Sequence, residues 1–337
     1  MIPDTSVVEQ ASSTSTAGFV ASLMPEDAIA ADLTAGLGVN TLYMSKKALK
    51  VYAIERDINR AEALSANLHL LGVDNVEVVN GDCIEWLKTS ETYLDFVFAD
   101  PARRTEGGRR HILLEDYSPD ISQIMPLLKG RCHRFLVKVS PLLDITALME
   151  SLPGLKGVLI VESGREVKEL LLDISPEEEC DNPYIECVIL NDDSIPLSFR
   201  FLYSDKGKNK ELKYIGPKES MVGGFIYEPS PSLMKASLFG ALAIRFPGLQ
   251  KLDFNTHLFY NKEQISDFPG RIFKIECSLG SKELKSLKGG RLNVISRNHP
   301  AKAPEFETRY KLKSSDKDFL IAATAAGKKV VLKSTKL

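Results

Sequence analysis

From residue 28 to about residue 190, short apolar runs alternate with stretches whose apolar positions recur every three or four residues. The runs are "AIAADL", "VYAIE", "VEVVN", "LDFVFAD", "RFLVKVS", "GVLIVES" and "IECVIL", all rich in residues that favour strands. Between the second and third, "INRAEALSANLHLLG" sets Ala61, Leu64, Leu68 and Leu71 at helical spacing, with Gly72 placed as a C-cap. Strands alternating with helices predict an α/β fold: seven strands in an open, doubly wound, largely parallel sheet. Ahead of it, "VEQASSTSTAGFVASL" reads as a helix with Ser12 to Ser15 as N-cap candidates. The segment "VESGREVKELLLDI" reads as a solvated amphipathic helix carrying Val167, Leu170 and Leu171 on one face, with no chemistry assigned.

Beyond residue 190 the pattern changes. "NDDSIPLSFRFLYSDKGKNKELKYIG" predicts a hairpin around a polar turn, and a second, smaller α+β domain begins near residue 215. In "YEPSPSLMKASLFGALAIRF", Ser230 is placed as N-cap and Pro231 at the first helical position. Leu238, Leu242 and Phe246 then form one stripe.

Charge adds an asymmetry that the net value of −2 conceals: residues 271–337 hold 16 Lys and Arg against 6 Asp and Glu. A basic C-terminal module on an acidic body suits a polyanionic partner, and Arg291, Arg297 and Lys311 are its candidate contacts. The 5 cysteines are scattered without a C-x-x-C pair, and the 5 histidines form no close pair. Neither a disulfide framework nor a bound metal is therefore expected. No apolar run approaches the ~18 residues of a membrane span, and "MIPDTSVVEQASS" lacks the basic-then-apolar order of a signal peptide, so the chain is expected in the cytoplasm.

The most informative stretch is "DLTAGLGVNTLYMS", which follows the first strand. A dinucleotide loop needs a third small residue, and in the frame set by Gly36 and Gly38 that position is Thr41. Asp32 at the strand end would repel a pyrophosphate but suits a ligand that carries an ammonium and a sulfonium, which is S-adenosylmethionine (SAM). Thr34, Gly36 and Gly38 form the loop itself. Glu55 at the second strand end is placed to accept the ribose hydroxyls. Asp82 after the third is placed for the adenine amine, beside the backbone amide of Cys83. The fourth strand delivers "DPARR". Here Asp100 is the candidate catalytic acceptor of a hydrogen bond from an amine, Pro101 fixes a carbonyl, and Arg103 and Arg104 clamp an anion. Lys138, within an apolar strand, is placed either to pair with Asp100 or to contact a substrate phosphate, the ion pair being favoured.

On "EQASSTSTA", "DLTAGLGVN", "DPARR" and "KVSPLLD", the chain resembles the class I SAM-dependent methyltransferases of the bacterial group with a C-terminal THUMP-like domain. "YEPSPSLMKASLFGAL" and "RNHPAKAPEFETRYKLK" resemble that group's ferredoxin-like and THUMP-like segments, so the likeness covers nearly the whole chain. Asn40 departs from the group's usual Asp, and the group tends to carry a further helical segment ahead of "EQASS". The resemblance implies a Rossmann-like methyltransferase sheet over 28–214 after a helical lead-in over 1–27. A ferredoxin-like segment over 215–265 and a basic THUMP-like domain over 266–337 would follow. It also implies SAM as cofactor, RNA as partner, and a place for Gln10 in a lid.

Local chemistry narrows the target. C5 methylation of a pyrimidine needs a cysteine nucleophile, and "DPARR" and "KVSPLLD" contain none. An N6-adenine site usually stacks the base on an aromatic, where this chain has Ala102 and Arg103. The expected reaction is methylation of another base nitrogen in RNA. The alternatives are a methyltransferase of a non-RNA substrate, an RNA-binding protein that retains a SAM pocket, or a nicotinamide-dependent dehydrogenase.

Overall fold

A computed structural model describes residues 13–103, 117–191 and 195–337. The chain divides into two compact units, one up to Tyr203 and one from Ser204.

In the first unit, α1 (Thr14–Ser22) begins at Ser13, whose hydroxyl accepts from the Thr16 N–H at 3.2 Å. The strands are β1 (Ile29–Asp32), β2 (Lys50–Glu55), β3 (Val76–Asn80), β4 (Leu94–Ala99), the short β5 (Ala102–Arg103) and β6 (Tyr117–Ser118), β7 (Cys132–Val139), β8 (Leu155–Ser163), β9 (Glu166–Ile174), β10 (Tyr184–Leu190) and β11 (Leu197–Leu202). The intervening helices are α2 (Val39–Ser45), α3 (Ile58–Leu70), α4 (Cys83–Thr89), α5 (Ile121–Leu128) and α6 (Ile145–Ser151). Nine strands form the main sheet in the order β11-β10-β8-β9-β7-β4-β1-β2-β3, two more than the apolar runs predict. Strands β3, β2, β1, β4 and β7 are parallel, while β9 runs antiparallel between β7 and β8.

The two extra strands have definite physical origins. Residues 166–174, expected as a helix, instead fold back on β8 through Gly164 (φ 59°) and Arg165 (φ 64°). Two consecutive residues with positive φ make the tight turn that joins twisted antiparallel strands. Leu170, Leu171, Leu172 and Ile174 are fully buried, which suits a strand covered on both faces better than a solvated helix. The expected hairpin after residue 195 supplies only β11, which pairs with β10; Tyr203–Glu211 forms a 3-10 stretch instead of a return strand.

Phe96, Phe98, Leu136, Leu159, Leu171 and Val188 pack with Val20 and Met44 in one core cluster, and Ala35, Ala53, Leu64 and Leu68 form another. At the sheet's far side Asp173 accepts two bonds from Arg134, at 2.8 and 2.9 Å, and a third from the Tyr184 hydroxyl. These fix β7, β9 and β10 around a buried charge.

In the second unit, strands β12 (Phe225–Pro229), β13 (Gln250–Asp253), β14 (Thr256–Asn261), β15 (Gly270–Ser278), β16 (Asn293–Arg297), β17 (Asp318–Ala325) and β18 (Lys328–Lys336) form one sheet. Its order is β13-β14-β12-β15-β18-β17-β16. Helices α7 (Pro231–Ala236), α8 (Phe239–Arg245), α9 (Ser281–Ser286) and α10 (Ala303–Tyr310) lie between these strands in sequence. The single helix expected after Ser230 is thus two. The break falls at Ser237, which adopts φ 54°, and Leu238, Leu242 and Phe246 remain buried beyond it.

Candidate functional site

The strand order reverses between β1 and β4, and a parallel sheet opens a crevice beyond the strand ends at such a point. A cleft of about 470 Å³ lies there. It is lined by residues 33–40, Glu55, Arg56, Arg60, Asp82, Cys83, Asp100, Pro101, Ala102, Ser118, Asp120 and Lys138, among others.

The loop after β1 turns through Gly36 (φ 55°) and Gly38 (φ 82°) and enters α2. Side chains disfavour that backbone region, and a Cβ on Gly38 would also lie 2.1 Å from Cδ1 of Leu64, which is 1% exposed. Gly38→Ala should therefore destabilise the first unit by about 2 kcal/mol through backbone strain and displacement of Leu64. A urea titration followed by circular dichroism measures this, and an unchanged midpoint would contradict it.

Asp32 lies under this loop, 1% exposed, and is not among the residues that line the cleft. Its carboxylate accepts from the Thr41 hydroxyl at 2.7 Å and the Thr34 N–H at 3.2 Å. Burial pushes its pKa up to about 6; these two hydrogen bonds oppose the shift, and the charges of Asp100 and Glu55 add to it. Thr41, at the position where a dinucleotide loop needs a small residue, is 0% exposed and committed to this carboxylate.

Glu55 ends β2 and faces the cleft while accepting from the N–H groups of Gly36 and Asp57, each at 2.9 Å. Asn80 at the end of β3 donates to the Glu55 carbonyl at 2.9 Å and so joins neighbouring strand tips. Asp82 caps α4, its Oδ1 accepting from Ile84 N–H at 2.8 Å and Glu85 N–H at 3.3 Å. Burial, with Asp82 adjacent, pushes the Cys83 thiol up to about 12, so it stays protonated and is no nucleophile.

At the tip of β4, the Asp100 N–H donates to the Thr34 hydroxyl oxygen at 2.6 Å. Its Oδ2 accepts from Lys138 Nζ at 2.8 Å, so the expected ion pair across β4 and β7 is present. Lys138 also lies 3.6 Å from Oε2 of Glu169, a buried residue of β9. Burial opposes the lysine's charge, but Asp100 and Glu169 together hold its pKa above the usual lysine value. Sequence reasoning missed Glu169 because it assigned that segment to a solvated helix. It also passed over Arg56 and Arg60 in "IERDINRAE", although both follow a strand end that carries a candidate ligand.

Beyond Pro101, Ala102 and Arg103 pair with Ser118 and Tyr117, and the Tyr117 hydroxyl accepts from the Ser140 N–H at 3.0 Å. Arg104, Gln10 and the side chain of Arg103 lie outside what the structure describes.

In the second unit, Arg297 donates to Glu228 at 2.9 Å and Arg271 donates to the same buried carboxylate at 2.6 Å. Arg271, Arg297, His299, Lys302 and Phe319 line a second cleft. Arg291 donates to the Ser314 carbonyl at 3.3 Å, and Lys311 is the exposed C-cap of α10. Among the described residues, no group of three or more His, Cys, Asp or Glu could hold a metal, and no helix is long and apolar enough to cross a membrane.

A doubly wound sheet, glycine loop and acidic strand tips around one switch-point cleft define the methyltransferase class of α/β fold. Comparison with known proteins matches the chain segment by segment. Residues 28–139 match the family model described as RNA cap guanine-N2 methyltransferase, residues 225–269 a ferredoxin-like domain, and residues 270–336 a THUMP domain-like family. The chain thus joins a methyltransferase-family domain to ferredoxin-like and THUMP-like domains. A crystal structure of a proposed methyltransferase from Porphyromonas gingivalis superposes with a TM-score of 0.89. It shares 29% identity and covers 99% of this chain and 83% of its own. An uncharacterized RNA methyltransferase of Mycoplasma mobile is 37% identical over 73 residues, 22% of this chain and 20% of that protein. An uncharacterized protein of Methanocaldococcus jannaschii is 37% identical over 60 residues, 18% of this chain and 23% of that one. The chain therefore spans only about a fifth of the length of these curated relatives.

Proposed function

We propose that the protein is a cytoplasmic SAM-dependent methyltransferase that modifies a base nitrogen of RNA. The observation that carries this reading is the convergence of Glu55, Asp82 and Asp100 on one switch-point cleft, above the buried Asp32. The residues fit the cofactor. Glu55 spends one hydrogen bond per oxygen on the backbone and keeps acceptor capacity for a pair of ribose hydroxyls. Asp82 uses Oδ1 as the helix cap, leaving Oδ2 for an exocyclic amine near the Cys83 N–H. Asp32 places a buried negative charge under the loop, where it favours a cationic ligand and disfavours a pyrophosphate. A cleft of about 470 Å³ is of ordinary cofactor size.

When bound, SAM supplies an electrophilic methyl group attached to a sulfonium. The chain's own part is to align the acceptor, exclude water and receive a proton. Asp100 accepts a hydrogen bond from the acceptor N–H and Pro101 holds the backbone that follows. Arg103 and Arg104 would meet a phosphate. The basic second unit, including Arg291, Arg297 and Lys311, would hold the rest of the RNA. The RNA-related family descriptions of the matched segments support this substrate class.

The test has two arms. Isothermal titration should show binding of SAM and none of NAD; the reverse would make the protein a nicotinamide enzyme and end this reading. RNA from cells lacking the gene should miss one methylated nucleoside and regain it on incubation with the purified protein and SAM. SAM binding with no such nucleoside would instead favour a non-RNA substrate or a binding protein.

A further inference from the structure

Strand β7 carries Lys138 between two carboxylates, Asp100 at 2.8 Å on the cleft side and Glu169 at 3.6 Å on β9. Their exposures differ: the Glu169 side chain is 5% exposed and the Asp100 side chain 30%. One ammonium thus serves two carboxylates, and the cluster carries a net charge of about −1 when all three are ionised. Glu169 Oε1, buried, has no hydrogen-bond partner among the described residues. A buried carboxylate with an unmatched oxygen is costly, and neutralising Lys138 requires only one carboxylate. Among the described residues, Asp100 after β4 and Glu169 on β9 bear electrostatically on Lys138, and Lys138 and Asp100 bear on Glu169.

We propose that Glu169 is a positioning residue, which draws on Lys138 so that Asp100 keeps net negative charge toward the cleft and selects a neutral, proton-bearing nitrogen as methyl acceptor. This rests on the methyltransferase reading above. In the step itself the nitrogen lone pair forms the new N–C bond and the C–S bond breaks with its electron pair kept by sulfur. The proton released from nitrogen passes to the Asp100 carboxylate. A nitrogen that becomes cationic is stabilised by the net negative cluster, whereas an anionic oxygen acceptor, such as a phosphate or carboxylate, is repelled. Without Glu169, Lys138 would neutralise Asp100 and that preference would fade.

The experiment compares wild type with Glu169→Gln, which keeps the shape and removes the charge, and Glu169→Asp, which draws the charge back. Acetic anhydride labels only neutral amines, and mass spectrometry reports Lys138 against the exposed Lys129. With one attracting carboxylate gone, Lys138 loses its proton at lower pH. Its labelling at a fixed alkaline pH should therefore rise about tenfold in Glu169→Gln and less in Glu169→Asp. In methyl transfer from labelled SAM to RNA of the deletion strain, Glu169→Gln should lower kcat at least about tenfold. Its KM for SAM should stay unchanged, and part of the lost rate should return as pH rises through the lysine's titration, because a neutral Lys138 no longer offsets the Asp100 charge. Glu169→Asp should lie between it and wild type.

Labelling of Lys138 that is the same in all three proteins overturns the proposal, as does a loss that appears in KM for SAM with the pH profile fixed. If Glu169→Gln does not fold, Glu169→Asp carries the same labelling test. If wild type transfers nothing to that RNA, the RNA reading fails by itself, while the labelling still decides whether Glu169 governs Lys138.

Discussion

Replacing Asp100 with alanine is expected to slow methyl transfer by about two to three orders of magnitude while SAM affinity changes less than about threefold. The separation follows from which atoms do what. The link from the β4 tip to the glycine loop runs through the Asp100 backbone N–H and the Thr34 hydroxyl at 2.6 Å, so it survives loss of the side chain. What disappears is the carboxylate that faces the cleft and pairs with Lys138 at 2.8 Å. Asp100→Asn, which keeps an oxygen acceptor without the charge, should fall between the two. Single-turnover rates with labelled SAM measure the chemical step, and calorimetry measures the affinity. A variant as fast as wild type would remove Asp100 from the reaction.

Asp32 gives the second large effect, this time on binding and its dependence on pH. Its pKa of about 6 in the folded chain, against about 3.9 in an unfolded one, has a definite sign. The folded state prefers the protonated form, so stability contributed at low pH is lost as pH rises from about 4 through 6. At pH 7 the loss amounts to about 3 kcal/mol. A cationic ligand above the loop reverses this preference and releases a proton. SAM should therefore bind several-fold more tightly at pH 7.5 than at pH 5.5, with proton uptake by the buffer visible in titrations with buffers of different ionisation enthalpy. Asp32→Asn should bind SAM at least about tenfold more weakly and lose that pH dependence. Its thermal stability relative to wild type should improve as pH rises from 5 to 7. Affinity that is flat with pH in the wild-type protein would separate the buried charge from cofactor binding.

The seven apolar runs were legible because each is a strand's length and bounded by turn residues, and all seven lie in the sheet. Strand β9 was not, because its apolar residues are also spaced for a helix face; the useful signal was the two-residue turn at Gly164 and Arg165. The break between α7 and α8 was hidden for another reason. Asn209 donates to the Ser237 carbonyl at 3.0 Å and accepts from the Gly240 N–H at 2.6 Å, satisfying from a distant segment two backbone groups at the break. No local pattern encodes that. At the site, Glu55, Asp82 and Asp100 could be read from strand ends, since position along the chain determines which cleft such residues reach. The burial of Asp32 beneath its loop could not be read, nor could the reach of Glu169 to Lys138, because both depend on packing between elements.

The contact between Thr34 and Asp100 has a mechanical consequence. The loop after β1 and the tip of β4 belong to different βα units, and beyond the strand pairing and the Leu33 N–H bond to the Phe98 carbonyl at 2.9 Å, the Thr34 hydroxyl ties them together. On the proposed reading, these two segments are the methyl-donor and methyl-acceptor sides of the cleft, and a hydrogen bond between them couples a displacement of one to the other. The gap that a methyl group would cross is then expected to vary less than the position of either wall.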